Sequence, residues 1–122
     1  MYKVKYYKDD KGNEPVREYL KQLDQKAKSS KNERINLNKI LEYIETLKNY
    51  GTYAGEPYVK HIRADLWELR PLDSRIFFFF MKDDAFILLH HFIKKTKRTP
   101  KREIEQAERN MKNVIERSKS HE

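Results

Sequence analysis

Residues 66–100, LWELRPLDSRIFFFFMKDDAFILLHHFIKKTKRTP, decide the fold. Leu66 to Arg70 reads as a short strand and Pro71 to Ser74 as a turn. Arg75 to Met81 is a strand carrying four consecutive phenylalanines, Phe77 to Phe80. Lys82 to Ala85 makes a tight turn, and Phe86 to Ile93 returns as the hairpin partner. A strand this apolar needs both faces covered. Helices take one face, and a further element or a partner chain must take the other. The stretch ends in a cationic turn, where six of the nine residues from Lys94 to Arg102 are Lys or Arg. Such crowding costs self-repulsion unless an anion neutralises it.

Working outward, Val59 to Ile62 is a further short strand, and Ala64-Asp65 is a bend. Tyr2 to Lys8 alternates basic and apolar residues at period 2, which predicts an edge or near-edge strand. Asp9 to Asn13 is a turn, and Pro15 opens a helix capped by Asn13 or Glu14. Val16, Tyr19, Leu20, Leu23 and Ala27 form its apolar stripe. Ser30 with Glu33 is a capping box, and a second helix runs to about Tyr50, stopped by Gly51. Its expected buried stripe is Leu37, Ile40, Leu41, Ile44 and Leu47. Thr99-Pro100 opens a last helix with Ile104, Ala107, Met111 and Ile115 on one side, and Ser118 to Glu122 is expected to fray. The order β-α-α-β-β-β-α, with Val59–Ile62 and Leu66–Arg70 counted as two pieces of one bent strand, is α+β: helices packed on a twisted sheet, with the first two as an antiparallel hairpin.

The chain has 122 residues, which predicts one domain, 1–122. A net charge of +8 favours an anionic partner: nucleic acid, an acidic protein or a membrane surface. No cysteine is present, so disulfide frameworks and thiolate chemistry are excluded. No apolar run approaches the ~18 residues of a membrane span. The first residues lack a signal-peptide pattern, so the expected location is cytoplasmic.

Strand parity places Glu68 with Arg70, and Arg75 with Phe77, Phe79 and Met81. Arg75 at the mouth of an aromatic strand either pairs with Glu68 or Asp73 or awaits an anion. Arg70, Arg75 and the Lys94–Arg98 turn converge at one strand end. Guanidinium and ammonium groups gathered this way suit a phosphate. With an RNA diester they stabilise the charge that builds as the 2′-hydroxyl attacks phosphorus. The step also needs a proton acceptor and a proton donor. Candidates are His61, His90, His91, Glu68 and lysines whose pKa falls among like charges. His90 and His91 are adjacent, so they face opposite sides and at most one meets the site. A metal site is unsupported: there is no HExxH motif, and adjacent histidines on one strand cannot chelate. A Ser-His-Asp triad and a glycine-rich phosphate loop are equally unsupported.

The segments LWELR at 66–70, Arg75 before its aromatic strand, and LLHHFIKKTKRTP at 88–100 resemble the HigB group of RelE-superfamily toxins, the phage-derived Gp49-like proteins. VKHI at 59–62 and EIEQA at 103–107 fit the same pattern. The resemblance implies the toxin of a type II toxin–antitoxin pair that cleaves mRNA on the translating ribosome, without a cofactor. It implies a HigA-like helix-turn-helix antitoxin in a toxin–antitoxin heterotetramer. It further implies a sheet with helices on one side and a basic face for RNA. On that face Arg70, Arg75, Lys94 and Lys95 would grip the phosphate, and His61 or His91 would move a proton. Lys60, Arg63, Lys97, Arg98, Lys101 and Arg102 would bind RNA. Some relatives place a tyrosine in the last helix, whereas residues 103–122 here hold no aromatic. Two other readings compete: a ParE-like gyrase inhibitor and a non-catalytic nucleic-acid-binding protein.

Overall fold

The computed structural model describes residues 1–120. The elements are β1 (Lys3–Tyr6), α1 (Pro15–Ala27), α2 (Lys31–Tyr50), a 3-10 turn (Gly51–Ala54), β2 (Val59–Arg63), β3 (Leu66–Leu69), β4 (Ser74–Met81), β5 (Ala85–Ile93) and α3 (Lys101–Ser120). The strands form one mixed sheet in the order β1-β5-β4-β3-β2. β1 lies parallel to β5 at one edge, and the other pairs are antiparallel. The architecture is α+β and consistent with a RelE-like fold.

Local chemistry sets the helix ends. Pro15 stands in the first turn of α1, where its missing N–H leaves no bond unmade. Ser30 Oγ accepts from the Glu33 N–H at 3.3 Å and starts α2. Gly51 ends α2 with φ 59°. A Cβ there would lie 2.9 Å from the Tyr2 ring, so glycine serves both the backbone and the packing.

Two apolar layers sandwich the sheet. From α1 and α2, Val16, Leu23, Ile40 and Leu47 pack on Leu69, Ile76, Phe78 and Leu88. On the other face, Ile104, Ala107 and Met111 of α3 cover Phe77, Phe79, Leu89 and Phe92. The phenylalanine run therefore divides by parity, Phe78 toward the hairpin and Phe77 and Phe79 toward α3. Helices occupy both faces, which corrects the expectation of a single helical side. The chain's own α3 meets the second apolar face. Burying one such phenylalanine contributes about 1.5–3 kcal/mol.

Leu41 departs from its expected burial and is 48% exposed. One residue beyond Ile40 is roughly 100° around the helix. Leu41 therefore leaves the sheet-facing stripe and sits at the outer seam with α1. The expected fraying from Ser118 is not observed through Ser120, where α3 still runs; His121 and Glu122 lie outside the described residues.

The register between β4 and β5 shifts once. Phe77 pairs with His90 and Phe78 with Leu88, so Leu89 is an extra residue, a β-bulge. Leu89 and His90 then both face α3. The buried Asn110 of α3 donates Nδ2–H to the Leu89 carbonyl at 2.9 Å. Asn110→Ala should leave that carbonyl unsatisfied and destabilise the fold by about 1–3 kcal/mol. Urea unfolding of the variant beside the wild type measures this.

Candidate functional site

The antiparallel register builds the site. Lys60, Glu68, Phe77 and His90 are successive cross-strand partners on β2, β3, β4 and β5, so they project from one face, the face that α3 covers. Arg70 follows Glu68 by two residues, Arg75 precedes Phe77 by two, and Lys94 follows Phe92 by two. All three reach the same corner. Glu68 is its centre, with a side chain 1% exposed. Its Oε1 lies 3.5 Å from Arg70 Nε and 3.8 Å from Arg75 Nε. Its Oε2 accepts from Thr99 Oγ1 at 3.5 Å, which ties the end of the cationic turn to β3.

Both arginine Nε–H groups are buried, and neither has a hydrogen-bond partner. Arg75 is otherwise anchored: Nη1 donates to Leu72 O at 2.6 Å and Ser74 O at 2.8 Å. Leu72 adopts φ 54°, within a turn that leads directly into β4. Arg70 also approaches Glu56, at 4.0 Å. One carboxylate thus faces two guanidinium groups without saturating their donors.

Burial raises the Glu68 carboxyl pKa, against the lowering pull of Arg75, Arg70, Lys94 and Lys60. Burial also lowers the Arg75 pKa, opposed by Glu68. Lys94 is lowered by desolvation and then by Arg75. In all three, desolvation is the largest cause: it disfavours the charged form, whether the carboxylate of Glu68 or the cations of Arg75 and Lys94.

The other expected cationic residues fall into three groups. Lys95, Lys97 and Arg98 are exposed in the turn, with Thr96 Oγ1 donating to Arg98 O at 2.7 Å. Lys101 and Arg102 are exposed at the start of α3, Lys101 being 3.8 Å from Glu105. Arg63 is held by Glu108 of α3, its Nε donating at 2.9 Å.

His61 and His91 lie apart from the cluster, on the hairpin side of the sheet. His61 pairs with Trp67, its ring 5.0 Å from the indole, and contacts Ala64 O at 2.7 Å. It neighbours Lys60, so parity turns it away. His91 stacks on Tyr19 at 3.5 Å and contacts Ser74 Oγ at 3.3 Å. The bulge at Leu89 is responsible: without it, His91 rather than His90 would face α3. The same shift brings Lys94, not Lys95, to the corner. His90 instead meets Glu103 of α3, Nε2 to Oε1 at 3.0 Å. Sequence reasoning missed Thr99 and the bulge; a Thr-Pro pair before a helix was the available sign of the first.

The model of the family described as phage derived protein Gp49-like (DUF891) matches residues 18–112. The chain belongs to that family, which is one of RelE/HigB-like toxins associated with toxin–antitoxin systems. A search of curated proteins returned no match. Among the described residues, no helix is long and apolar enough to cross a membrane.

Burial lowers the His91 pKa to about 4, with a smaller contribution from His90. Its unfolded value is near 6.5, so the unfolded chain binds more protons between those limits. Stability is therefore lost as pH falls from about 6.5 to about 4, by roughly 3 kcal/mol from this group. His91→Phe should show a shallower acid-side decline than wild type, measured by urea unfolding across that range.

Proposed function

We propose that the protein is a HigB-like toxin that cleaves mRNA on translating ribosomes in the cytoplasm, acting as one domain over residues 1–122. The observation that carries this reading is the convergence of Arg70, Arg75, Lys94 and Lys60 on one buried carboxylate. A phosphodiester brings further negative charge and further acceptors to these cations, and it restores the neutrality that Glu68 alone does not provide.

In this reading Arg70 and Arg75 hold the non-bridging oxygens of the scissile phosphate, Lys60 and Lys94 add positive charge beside them, and Lys95 adds it from the exposed turn. The 2′-oxygen attacks phosphorus and loses its proton as the bond to the 5′-oxygen breaks. The products are a 2′,3′-cyclic phosphate and a 5′-hydroxyl. The arginines stabilise the extra negative charge at phosphorus. Lys94, with its pKa lowered, is suited to protonate the leaving 5′-oxygen. Glu68 stays sequestered as the arginines' counterion. His61 and His91 lie on the other face and His90 is engaged by Glu103 of α3, so in this reading the acceptor of the 2′ proton comes from the ribosome complex. This gives ribosome dependence a physical basis.

The exposed Lys97, Arg98, Lys101 and Arg102 extend the cationic track for the RNA strand, with Arg63 beside Glu108 at its border. A HigA-like helix-turn-helix antitoxin neutralises the toxin in a heterotetramer. The convergence of cations at one corner favours this over gyrase inhibition, which needs a protein-binding surface and no such corner.

Primer extension on a defined mRNA tests the reading. Wild type with translating ribosomes should give cuts inside codons, and Arg75→Ala should reduce them about 100-fold or more. Growth arrest with no cuts under any condition would instead support the gyrase-type reading.

A further inference from the structure

β1 is an edge strand with one side open. Lys3 N–H donates to Asp84 O and Tyr7 N–H to Leu88 O, so odd-numbered residues bond inward to the β5 side. In a parallel ladder the alternate residues then point their N–H and C=O outward. Tyr2 already uses its outward N–H on Lys48 O, at the end of α2. Val4 and Tyr6 have no such cover among the described residues. An exposed strand edge is a template for another strand.

The side chains beside this edge differ by face. On the α3 face, Lys3 and Lys5 are exposed. On the hairpin face, Tyr6 borders a groove of about 390 Å³ whose apolar lining is Leu20, Leu37 and Leu41. Leu41 left the buried stripe of α2 to stand in this groove, 48% exposed. A strand added to β1 would set alternate side chains beside lysine and above leucine.

We infer that β1 is the docking edge for an extended segment of the antitoxin in which acidic and apolar residues alternate, the acidic ones beside Lys3 and Lys5 and the apolar ones in the Leu20–Leu41 groove. This rests on the family reading that the partner is an antitoxin, but not on nuclease activity. Charge complementarity selects the occupant. A second copy of this chain would bring lysine-bearing edges together, and like charges across a strand pair are destabilising. Backbone bonds supply affinity, and the alternating pockets supply register. The edge lies apart from the Arg70–Arg75 corner, separated from β3 by β5 and β4.

The test is binding of a short synthetic peptide of alternating glutamate and valine to the full chain, with hydrogen exchange followed at single amides. Exchange should slow at Val4 and Tyr6. Leu41→Asp, a substitution at an exposed position, should weaken binding about tenfold or more, while Arg75→Ala should leave it unchanged. A lysine–valine peptide should not bind. Absence of binding, equal binding by both peptides, or an equal loss in Arg75→Ala would overturn the inference. So would protection of Val4 and Tyr6 that grows with protein concentration alone, or their protection by single-stranded RNA in place of the peptide. Loss of mRNA cleavage with these results intact would refute the nuclease reading and leave this one standing.

Discussion

A carboxylate buried between two arginines organises one corner of the sheet, the candidate site. Glu68 is almost fully removed from water, and burial raises its pKa despite four nearby cations. An ion pair bought at that cost is weak evidence of stability. Its consequence is geometric. Glu68 draws Arg70 from the end of β3 and Arg75 from the start of β4 to a common point, and it accepts from Thr99 ahead of α3. Three chain segments are fixed around one negative charge. That charge is too small to neutralise the cations around it, and in the proposed reading the surplus is what a phosphate would meet.

The second constraint is the single extra residue at Leu89. A strand pair without it would carry its alternation unbroken to the cationic turn. The bulge reverses the parity of everything after it, sending His91 into the layer beneath α1 and Lys94 to the corner. Asn110 closes the one backbone acceptor that the bulge leaves open. Helix docking, strand register and the composition of the cationic corner are therefore coupled through one carbonyl. Substitutions along α3 facing β5 should influence the corner even though they lie outside it.

Much of the fold was legible in the sequence, because the deciding signals are local. Pro15, Ser30 and Gly51 mark helix ends through backbone chemistry, and period-2 and period-3.6 patterns mark the strands and helices. The convergence of Arg70, Arg75 and the cationic turn followed from strand ends meeting at one side of a meander. The side taken by α3 was not legible, since an apolar stripe says only that a face is buried. The bulge was also hidden, because Leu88-Leu89 reads equally well with or without it, and His91 was misplaced for that reason. His61 is different: its adjacency to Lys60 already implied the opposite face. Leu41 continued an apolar pattern that is broader than the sheet beneath it.

The most direct measurement is NMR of the guanidinium groups of Arg70 and Arg75 during titration with a 2′-O-methyl RNA oligonucleotide, which cannot undergo 2′-hydroxyl attack. If these donors receive the phosphate, both signals shift together, and the response weakens with salt as bound counterions are released. If both signals stay in place while the RNA binds elsewhere, the corner around Glu68 is a structural ion cluster and the phosphate grip is contradicted.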